Sequence, residues 1–100
     1  MFHILWRFRA KREELDEYVR IYGTAGTWAQ FFSRSPDYRG TQLLRGTADP
    51  LTFVIIDRWT AEEAFVRFKA QYATEYEELD RRCELLTESE EKIGSYVSEE

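Results

Sequence analysis

One short segment, Leu51–Phe68, constrains the fold of this chain more than any other. It begins with Thr-Phe-Val-Ile-Ile at 52–56, a run of β-branched and aromatic residues that is too short for a helix and apolar on both faces. Thr60 and Glu63 have the spacing of a capping box, in which both side chains satisfy backbone N–H groups at a helix start. The segment therefore predicts a buried strand followed by a helix without an intervening loop, with Trp59 held at the corner.

The composition indicates one small, well-packed domain spanning residues 1–100. Hydrophobic residues make up 43% of the chain and aromatic residues 16%, which excludes a disordered chain. The net charge of −5 disfavours nucleic acid as a partner, because nucleic-acid-binding surfaces are basic. A domain of 100 residues buries only a modest share of its surface, so oligomerisation is a common supplement.

Three features bear on the cellular location. Cys83 is the only cysteine, so the chain forms no internal disulfide and suits a reducing compartment. The first apolar residues are interrupted by His3 and followed at once by Arg7, unlike a signal peptide. No apolar run approaches the ~18 residues that cross a membrane. We expect a cytoplasmic protein that binds neither membrane nor nucleic acid.

Hydrophobic periodicity predicts the first half of the chain. Residues 2–10 alternate between apolar and polar, as expected for a strand with one strongly apolar face. From Lys11 to Tyr22 the apolar spacing changes to three and four, which predicts a helix. Thr27 is predicted to cap a short second helix after the glycine-rich interruption at 23–26. Residues 38–47 predict a second strand that pairs as a hairpin with the third.

The second half of the chain carries the clearest helical stripe. Apolar residues from Phe65 to Leu86 follow spacings of three and four, which predicts a helix over about 61–82 with a bend near Ala73 and Thr74. Residues 87–91 are predicted to be a polar loop, and residues 92–97 a final strand. The element order is therefore βαββαβ, which gives an α+β, ferredoxin-like fold with a four-stranded antiparallel sheet and both helices on one face.

The doubly apolar third strand also predicts a partner. Phe53 and Ile55 lie on one face and Val54 and Ile56 on the other, whereas the helices cover only one side of the sheet. Leaving the second face in water would expose an apolar patch of a kind that soluble monomers rarely show. We therefore predict a homodimer formed sheet to sheet.

Several stretches of the chain resemble the antibiotic biosynthesis monooxygenase-like family of dimeric α/β barrels. They are WRFRAK in the first strand, DYRGTQLLRG in the second, VIIDRWTAEEAF across the third strand and its helix, and the closing IGSYV. The resemblance implies the ferredoxin-like fold and the dimer. The family includes cofactor-independent oxygenases, haem-degrading enzymes and members without known activity.

The resemblance also implies a site. Trp59 matches the family's tryptophan at the end of the third strand, which lines a cavity between sheet and helices. Haem-degrading relatives have an asparagine on the first strand and a histidine about ten residues after the tryptophan, where this chain has Trp6 and Lys69. A protonated lysine is a poor haem ligand. Haem is therefore not expected as substrate or cofactor.

Two residues are candidates for catalytic roles. Alternation places Asp57 on the same face as Trp59, where partial burial would raise its pKa and make it a general base; the alternative is an ion pair with an arginine such as Arg45. Tyr72 lies on the inner stripe of the second long helix, together with Tyr76. A tyrosine hydroxyl there orients a phenol or quinone, unless its ring simply fills the core.

Four aromatic residues are candidates for binding a substrate: Trp6, Trp28, Trp59 and Phe68. For Trp59 the alternative is a core residue at the corner, whereas Trp6 is expected to reach the cavity beside a core Phe8. Trp28 follows the glycines at 23–26, which would suit a mobile lid. His3 falls on the opposite face from Trp6, and Cys83 lies on an apolar stripe, so neither is expected to be catalytic.

Two functions remain open from the sequence. The first is a cofactor-independent monooxygenase that acts on a small aromatic or quinol-like compound, with no metal or other cofactor. The second is a non-catalytic homodimer that binds a small hydrophobic ligand or acts as a scaffold. Metal-ligand clusters and Gly-rich phosphate loops are absent from the sequence pattern.

Overall fold

The computed structural model describes residues 1–99 and shows a single antiparallel sheet covered on one face by helices. The strands are β1 (Phe2–Ala10), β2 (Tyr38–Arg45), β3 (Thr52–Trp59) and β4 (Thr87–Val97). The α-helices are α1 (Leu15–Tyr22), α2 (Thr27–Phe32), α3 (Glu62–Gln71) and α4 (Ala73–Cys83), with short 3-10 turns at Arg12–Glu14 and Glu84–Leu86. The strand order is β2-β3-β1-β4. The predicted ferredoxin-like fold is confirmed.

Side-chain alternation divides the sheet into an inner and an outer face. On the two central strands, Phe8 pairs with Phe53 and Phe2 with Trp59, and all four side chains are buried. These residues form the inner face, which packs against the helices. Burying large aromatic side chains is the main stabilising contribution available to so small a domain.

Aromatic rings form the core between this face and the helices. Tyr18 of α1 packs against Phe53 with ring centroids 4.8 Å apart, and against Tyr22 at 4.5 Å. On the other side, Phe31 of α2 meets Phe68 of α3 edge to face at 5.0 Å. Such pairs add to the energy of area burial. They explain the aromatic content of the chain.

The last strand is longer than predicted. Residues 87–91, predicted to be a loop, pair with β1 and belong to β4. The sequence there is polar because β4 is an edge strand, where charged residues are common. Arg7 and Glu91 lie 2.7 Å apart, and Arg9 pairs with Glu88. These ion pairs stabilise the strand pairing in place of apolar side chains. The prediction relied on an apolar pattern and therefore missed this part of the strand.

The predicted long helix has a break at Tyr72. That residue has φ −112° and ψ 31° and separates α3 from α4, close to the bend expected near Ala73 and Thr74. Its N–H still donates to the Phe68 carbonyl at 3.0 Å. The stripe therefore continues into α4 but changes direction, and this break decides which tyrosines face the sheet.

Both predicted helix caps are wrong. The hydroxyl of Thr60 donates to Asp37 Oδ1 at 2.9 Å, and its N–H to the Asp37 carbonyl at 2.9 Å. Helix α3 is preceded by Ala61, without a side-chain cap, so Thr60 and Glu63 form no capping box. Likewise Thr27 is the first residue of α2 and not its cap. Thr60 instead connects the β3–α3 corner to Asp37, the residue that precedes β2.

The outer face of the sheet has no helix over it. Leu5 pairs with Ile56, and Leu44 pairs with Val54; three of these side chains are half-buried, and Leu44 is 42% exposed. Tyr96 of β4 is 51% exposed and pairs with His3 on the same face. An apolar band therefore crosses all four strands. No helix within residues 1–99 is long and apolar enough to cross a membrane.

Candidate active site

A cavity of about 120 Å³ lies between the inner sheet face and helices α2 and α4. Its apolar and aromatic lining comes from Trp6, Phe8, Tyr22, Trp28, Phe32 and Ile55. Its polar lining comes from Thr41, Asp57, Lys69, Tyr76, Asp80 and Glu90. Apolar walls with a few convergent polar groups are typical of small-molecule sites.

Asp57 is held in this wall by the hairpin of β2 and β3. It lies two residues after Ile55 on the inner face, directly opposite Thr41 of β2. The Thr41 hydroxyl donates to Asp57 Oδ1 at 2.6 Å, and the hydroxyls of Thr41 and Tyr38 are in hydrogen-bond contact. Since Thr41 gives its only proton to Asp57, Tyr38 is the donor in the second bond. The result is a chain of hydroxyls ending on one carboxylate.

The surroundings of Asp57 suit a general base. Burial raises the pKa of this carboxyl to about 6, although the hydrogen bond from Thr41 acts in the opposite direction. The alternative ion pair with Arg45 is wrong, because that guanidinium donates to the Pro50 carbonyl at 2.7 Å and lies over the Phe53 ring. A carboxylate without a cationic partner, in an apolar wall, is ionised at neutral pH and poised to accept a proton.

Tyr76, in α4, lines the cavity, whereas Tyr72, between α3 and α4, does not. Burial raises the pKa of the Tyr76 hydroxyl, and the nearby carboxylates of Asp80, Asp57 and Glu90 add to the effect. Tyr72 turns away at the helix break and packs against Phe68, with centroids 4.8 Å apart. It lines a separate outer groove beside α3. The helix break at Tyr72 therefore explains why Tyr76, and not Tyr72, lies in the cavity wall.

The four predicted aromatic side chains divide into two groups. Trp6 and Trp28 line the cavity, whereas Trp59 and Phe68 do not, contrary to the prediction. Trp59 is fully buried, at 0% exposure, because Phe32, Phe65 and Phe68 each pack against it at 5.4 Å. It supports the wall from behind, since Phe32 lies between it and the cavity.

Charged groups surround the cavity mouth, and the sequence prediction missed them. Asp80 lies one helical turn after Tyr76, and Glu90 is opposite Phe8 in β4. Burial raises the pKa of both carboxyls; the charge of Glu84 raises both further, and the charge of Asp80 raises that of Glu90. Lys69 is the basic lining residue, and its ammonium lies 4.8 Å from the centre of the Tyr76 ring. The i, i+4 spacing of Tyr76 and Asp80 was the available signal.

The other candidates lie elsewhere. His3 is on the outer face, where its Nε2 is 2.7 Å from the Ser98 hydroxyl. Cys83 is a buried free thiol, and burial raises its pKa. Across residues 1–99, no group of three or more His, Cys, Asp or Glu is arranged to hold a metal ion.

Comparison with known proteins finds one matching family and several solved structures of the same fold. A family model described as antibiotic biosynthesis monooxygenase matches residues 1–76. A variant of SnoaB, a cofactor-independent oxygenase from Streptomyces nogalater, aligns with a TM-score of 0.80 and 23% identity, covering 99% of this chain and 93% of that one. A conserved protein from Methanosarcina mazei Go1 aligns with a TM-score of 0.77 and 9% identity, covering 98% and 92%. At these identities the structural likeness shows the fold alone. No curated protein matches the sequence.

Proposed function

The chain belongs to the antibiotic biosynthesis monooxygenase family, and on that basis we propose that it is a cofactor-independent monooxygenase of a small aromatic, quinol-like compound. The observation that carries the proposal is Asp57, an unpaired carboxylate in the wall of an aromatic cavity with a pKa raised to about 6. A solved structure of the same fold is described as a cofactor-independent oxygenase, which supports the same reaction class.

In this reaction the substrate supplies the electrons. Asp57 takes a phenolic proton from the quinol, and the resulting anion passes one electron to O₂. The two radicals combine through a new carbon–oxygen bond, and the peroxide receives the proton back from Asp57. The oxygen–oxygen bond then breaks as the ring carbon loses its hydrogen, which releases water and leaves a hydroxyquinone. Overall, one quinol and one O₂ give one hydroxyquinone and one water.

Each lining group has a proposed role in that sequence. Trp6 and Trp28 contact the substrate ring and exclude water, which strengthens the electrostatic interactions within the site. The Tyr76 hydroxyl orients a substrate oxygen in place of Tyr72. Trp59 and Phe68 are positioning residues that hold Phe32 in the wall. Thr41 keeps Asp57 oriented through its 2.6 Å hydrogen bond.

The test is O₂ consumption by purified protein with hydroquinone, compared with the autoxidation rate without protein. We expect Asp57→Asn to lower kcat/KM by about 10²–10⁴-fold, the usual contribution of a general base. Asp16→Asn, on the exposed surface of α1, is the matched control and should retain activity. Catalase should return no O₂, because the second oxygen atom leaves as water.

Two outcomes contradict the proposal. Return by catalase of half of the O₂ consumed would show an oxidase that makes hydrogen peroxide. Equal rates with and without protein, across several quinols, would instead favour the non-catalytic ligand-binding homodimer. The apolar lining of the cavity supports that second function, because an aromatic ligand would bind there without any reaction.

We further propose that the functional unit is a homodimer formed through the outer sheet faces. The support is the apolar band on that face, in which Leu44 and Tyr96 are 42% and 51% exposed. A second copy covers such a band with an identical one, as two-fold symmetry requires. The location we propose is the cytoplasm, where a reducing environment keeps the Cys83 thiol free.

A further inference from the structure

We propose that the cavity selects a single-ring phenol or quinol whose other substituents are neutral or positively charged, and rejects fused-ring and anionic analogues. This inference rests on the proposed function, because it concerns the cavity that contains Asp57. It is carried by the size of the cavity, by the polar groups in its wall and by the charges at its mouth.

The volume limits the ligand to one ring. The cavity has a volume of about 120 Å³ and is open at its mouth; an engineered apolar cavity of about 150 Å³ in another protein binds benzene. The walls cannot easily recede, because Phe32 is backed by Trp59 at 5.4 Å and by Phe68 at 5.6 Å. Overpacking a close-packed aromatic core strains its side chains. A second fused ring would have to remain outside.

The wall contains polar groups suited to a phenolic hydroxyl. Asp57 lies in the wall, is oriented by the Thr41 hydroxyl at 2.6 Å, and accepts a proton. Tyr76 lines the same cavity. Burial raises the pKa of its hydroxyl, and the carboxylates of Asp57, Asp80 and Glu90 lie close enough for their charges to raise that pKa further. Asp57 and Tyr76 therefore provide an acceptor and a hydroxyl for one ring with hydroxyl groups.

The charges at the mouth determine which substituents are tolerated. Asp57, Asp80 and Glu90 line the cavity with a single basic residue, Lys69. None of the four takes part in a salt bridge within the described part of the chain, residues 1–99. A cleft lined by an excess of one charge attracts the opposite charge and repels its own. A cationic substituent reduces the repulsion between the carboxylates, whereas an anionic one increases it.

The experiment measures binding, separately from turnover, with three phenols that differ only at the end of a two-carbon tail. They are tyramine (cationic), 4-ethylphenol (neutral) and 3-(4-hydroxyphenyl)propionate (anionic). The dissociation constant of each is measured by isothermal titration calorimetry at pH 7.5. We expect tyramine to bind at least about tenfold more tightly than the propionate, which corresponds to about 1.4 kcal/mol. Anthrone, with three fused rings, should bind at least about tenfold more weakly than 4-ethylphenol.

Two variants test whether Asp80 and Glu90, at the cavity mouth, cause the preference for the cationic phenol. The double variant Asp80→Asn, Glu90→Gln should bring the tyramine and propionate affinities to within about twofold of each other, because the charge excess is removed. Glu78→Gln, exposed on the same helix, removes one carboxylate away from the cavity and should leave the ratio unchanged.

The result also separates this inference from the proposed reaction. Selective binding without O₂ consumption by any quinol would overturn the reaction and leave the ligand class standing. Tight binding of anthrone, equal binding of the charged pair, or no binding of any phenol would overturn the ligand class. In the first two cases, O₂ consumption with hydroquinone would still support the monooxygenase.

Discussion

Asp57, the general base that we propose, lowers the stability of the fold when it is ionised. Between pH 3.8 and about 6 the folded chain holds a proton on this carboxyl that the unfolded chain has released. Stability therefore falls as pH rises through that window, because the folded state binds more protons than the unfolded state. Above pH 6 the ionised group lowers the free energy of unfolding by about 3 kcal/mol at most. Active sites commonly store such costs.

Asp57→Asn is therefore expected to stabilise the protein while inactivating it. The neutral amide avoids the cost of a buried charge, and its oxygen still accepts the hydrogen bond from Thr41. We expect the free energy of unfolding to rise by about 1–3 kcal/mol at pH 8 and to change little at pH 4, where the wild-type carboxyl is protonated. Urea denaturation at the two pH values measures this. A variant that is less stable at pH 8 would show that the carboxylate makes a net favourable interaction.

Single residues show where prediction from sequence succeeded. Alternation along β3 placed Asp57 on the inner face, and that placement is confirmed by its position in the cavity wall. Its partner Thr41 was missed because the pairing depends on the register of β2 against β3, which includes an irregularity near Gly40. The burial of Trp59 was missed because it depends on how closely α2 and α3 approach the sheet.

Among the elements, the junction between β3 and α3 fixes the cavity wall. Thr60 and Asp37 are joined by a side-chain and a backbone hydrogen bond, each 2.9 Å long. They connect the start of α3 to the segment that precedes β2. The corner therefore holds together two elements that both contribute lining residues to the site.

We expect Thr60→Val to lower the free energy of unfolding by about 0.5–1.5 kcal/mol, because it removes one hydrogen bond at nearly constant volume. Glu63→Gln is the matched control and should change stability by less than about 0.5 kcal/mol, since Glu63 makes no capping contact. A double-mutant cycle with Asp37→Asn should show coupling between Thr60 and Asp37. If Glu63→Gln lowered the free energy of unfolding more than Thr60→Val does, the capping box would be supported after all.

Element boundaries were predictable where periodicity was strong. Alternation gave the limits of β1, the β-branched and aromatic run at 52–56 gave the start of β3, and the stripe from Phe65 gave both helices. The start of β4 was missed because an edge strand stabilised by cross-strand ion pairs has no apolar period. The helix break at Tyr72 was placed within two residues, yet its effect on which tyrosine enters the cavity depends on three-dimensional direction.

At the scale of the whole molecule, the two faces of the sheet have different purposes. The inner face supports the core and the cavity, whereas the outer face presents apolar side chains with nothing over them within the described residues 1–99. The third strand predicted this asymmetry, because it is apolar on both sides. The sequence could not show how far the band extends, since Leu5, Leu44 and Tyr96 join it only through strand pairing.

Ile56→Asp should convert a dimer into a folded monomer. The residue lies on a central strand and points away from the helices, so the charge disrupts the partner contact and leaves the aromatic core intact. Specific dimers bury about 1,200–2,000 Å² in total, and one unpaired charge at the centre of such an interface is strongly destabilising. Light scattering at micromolar concentration should give twice the chain mass for the wild type and the single mass for the variant.

Two further variants make this test decisive. Val66→Asp introduces the same charge at a residue that is 57% exposed on α3, away from the outer face, and should remain dimeric. Leu44→Asp, on an edge strand and already 42% exposed, should dissociate the dimer with a smaller effect on folding, in case Ile56→Asp unfolds. Circular dichroism reports whether each variant is folded. A wild-type protein that is monomeric at micromolar concentration would refute the dimer, and the apolar band would then need a different partner to cover it.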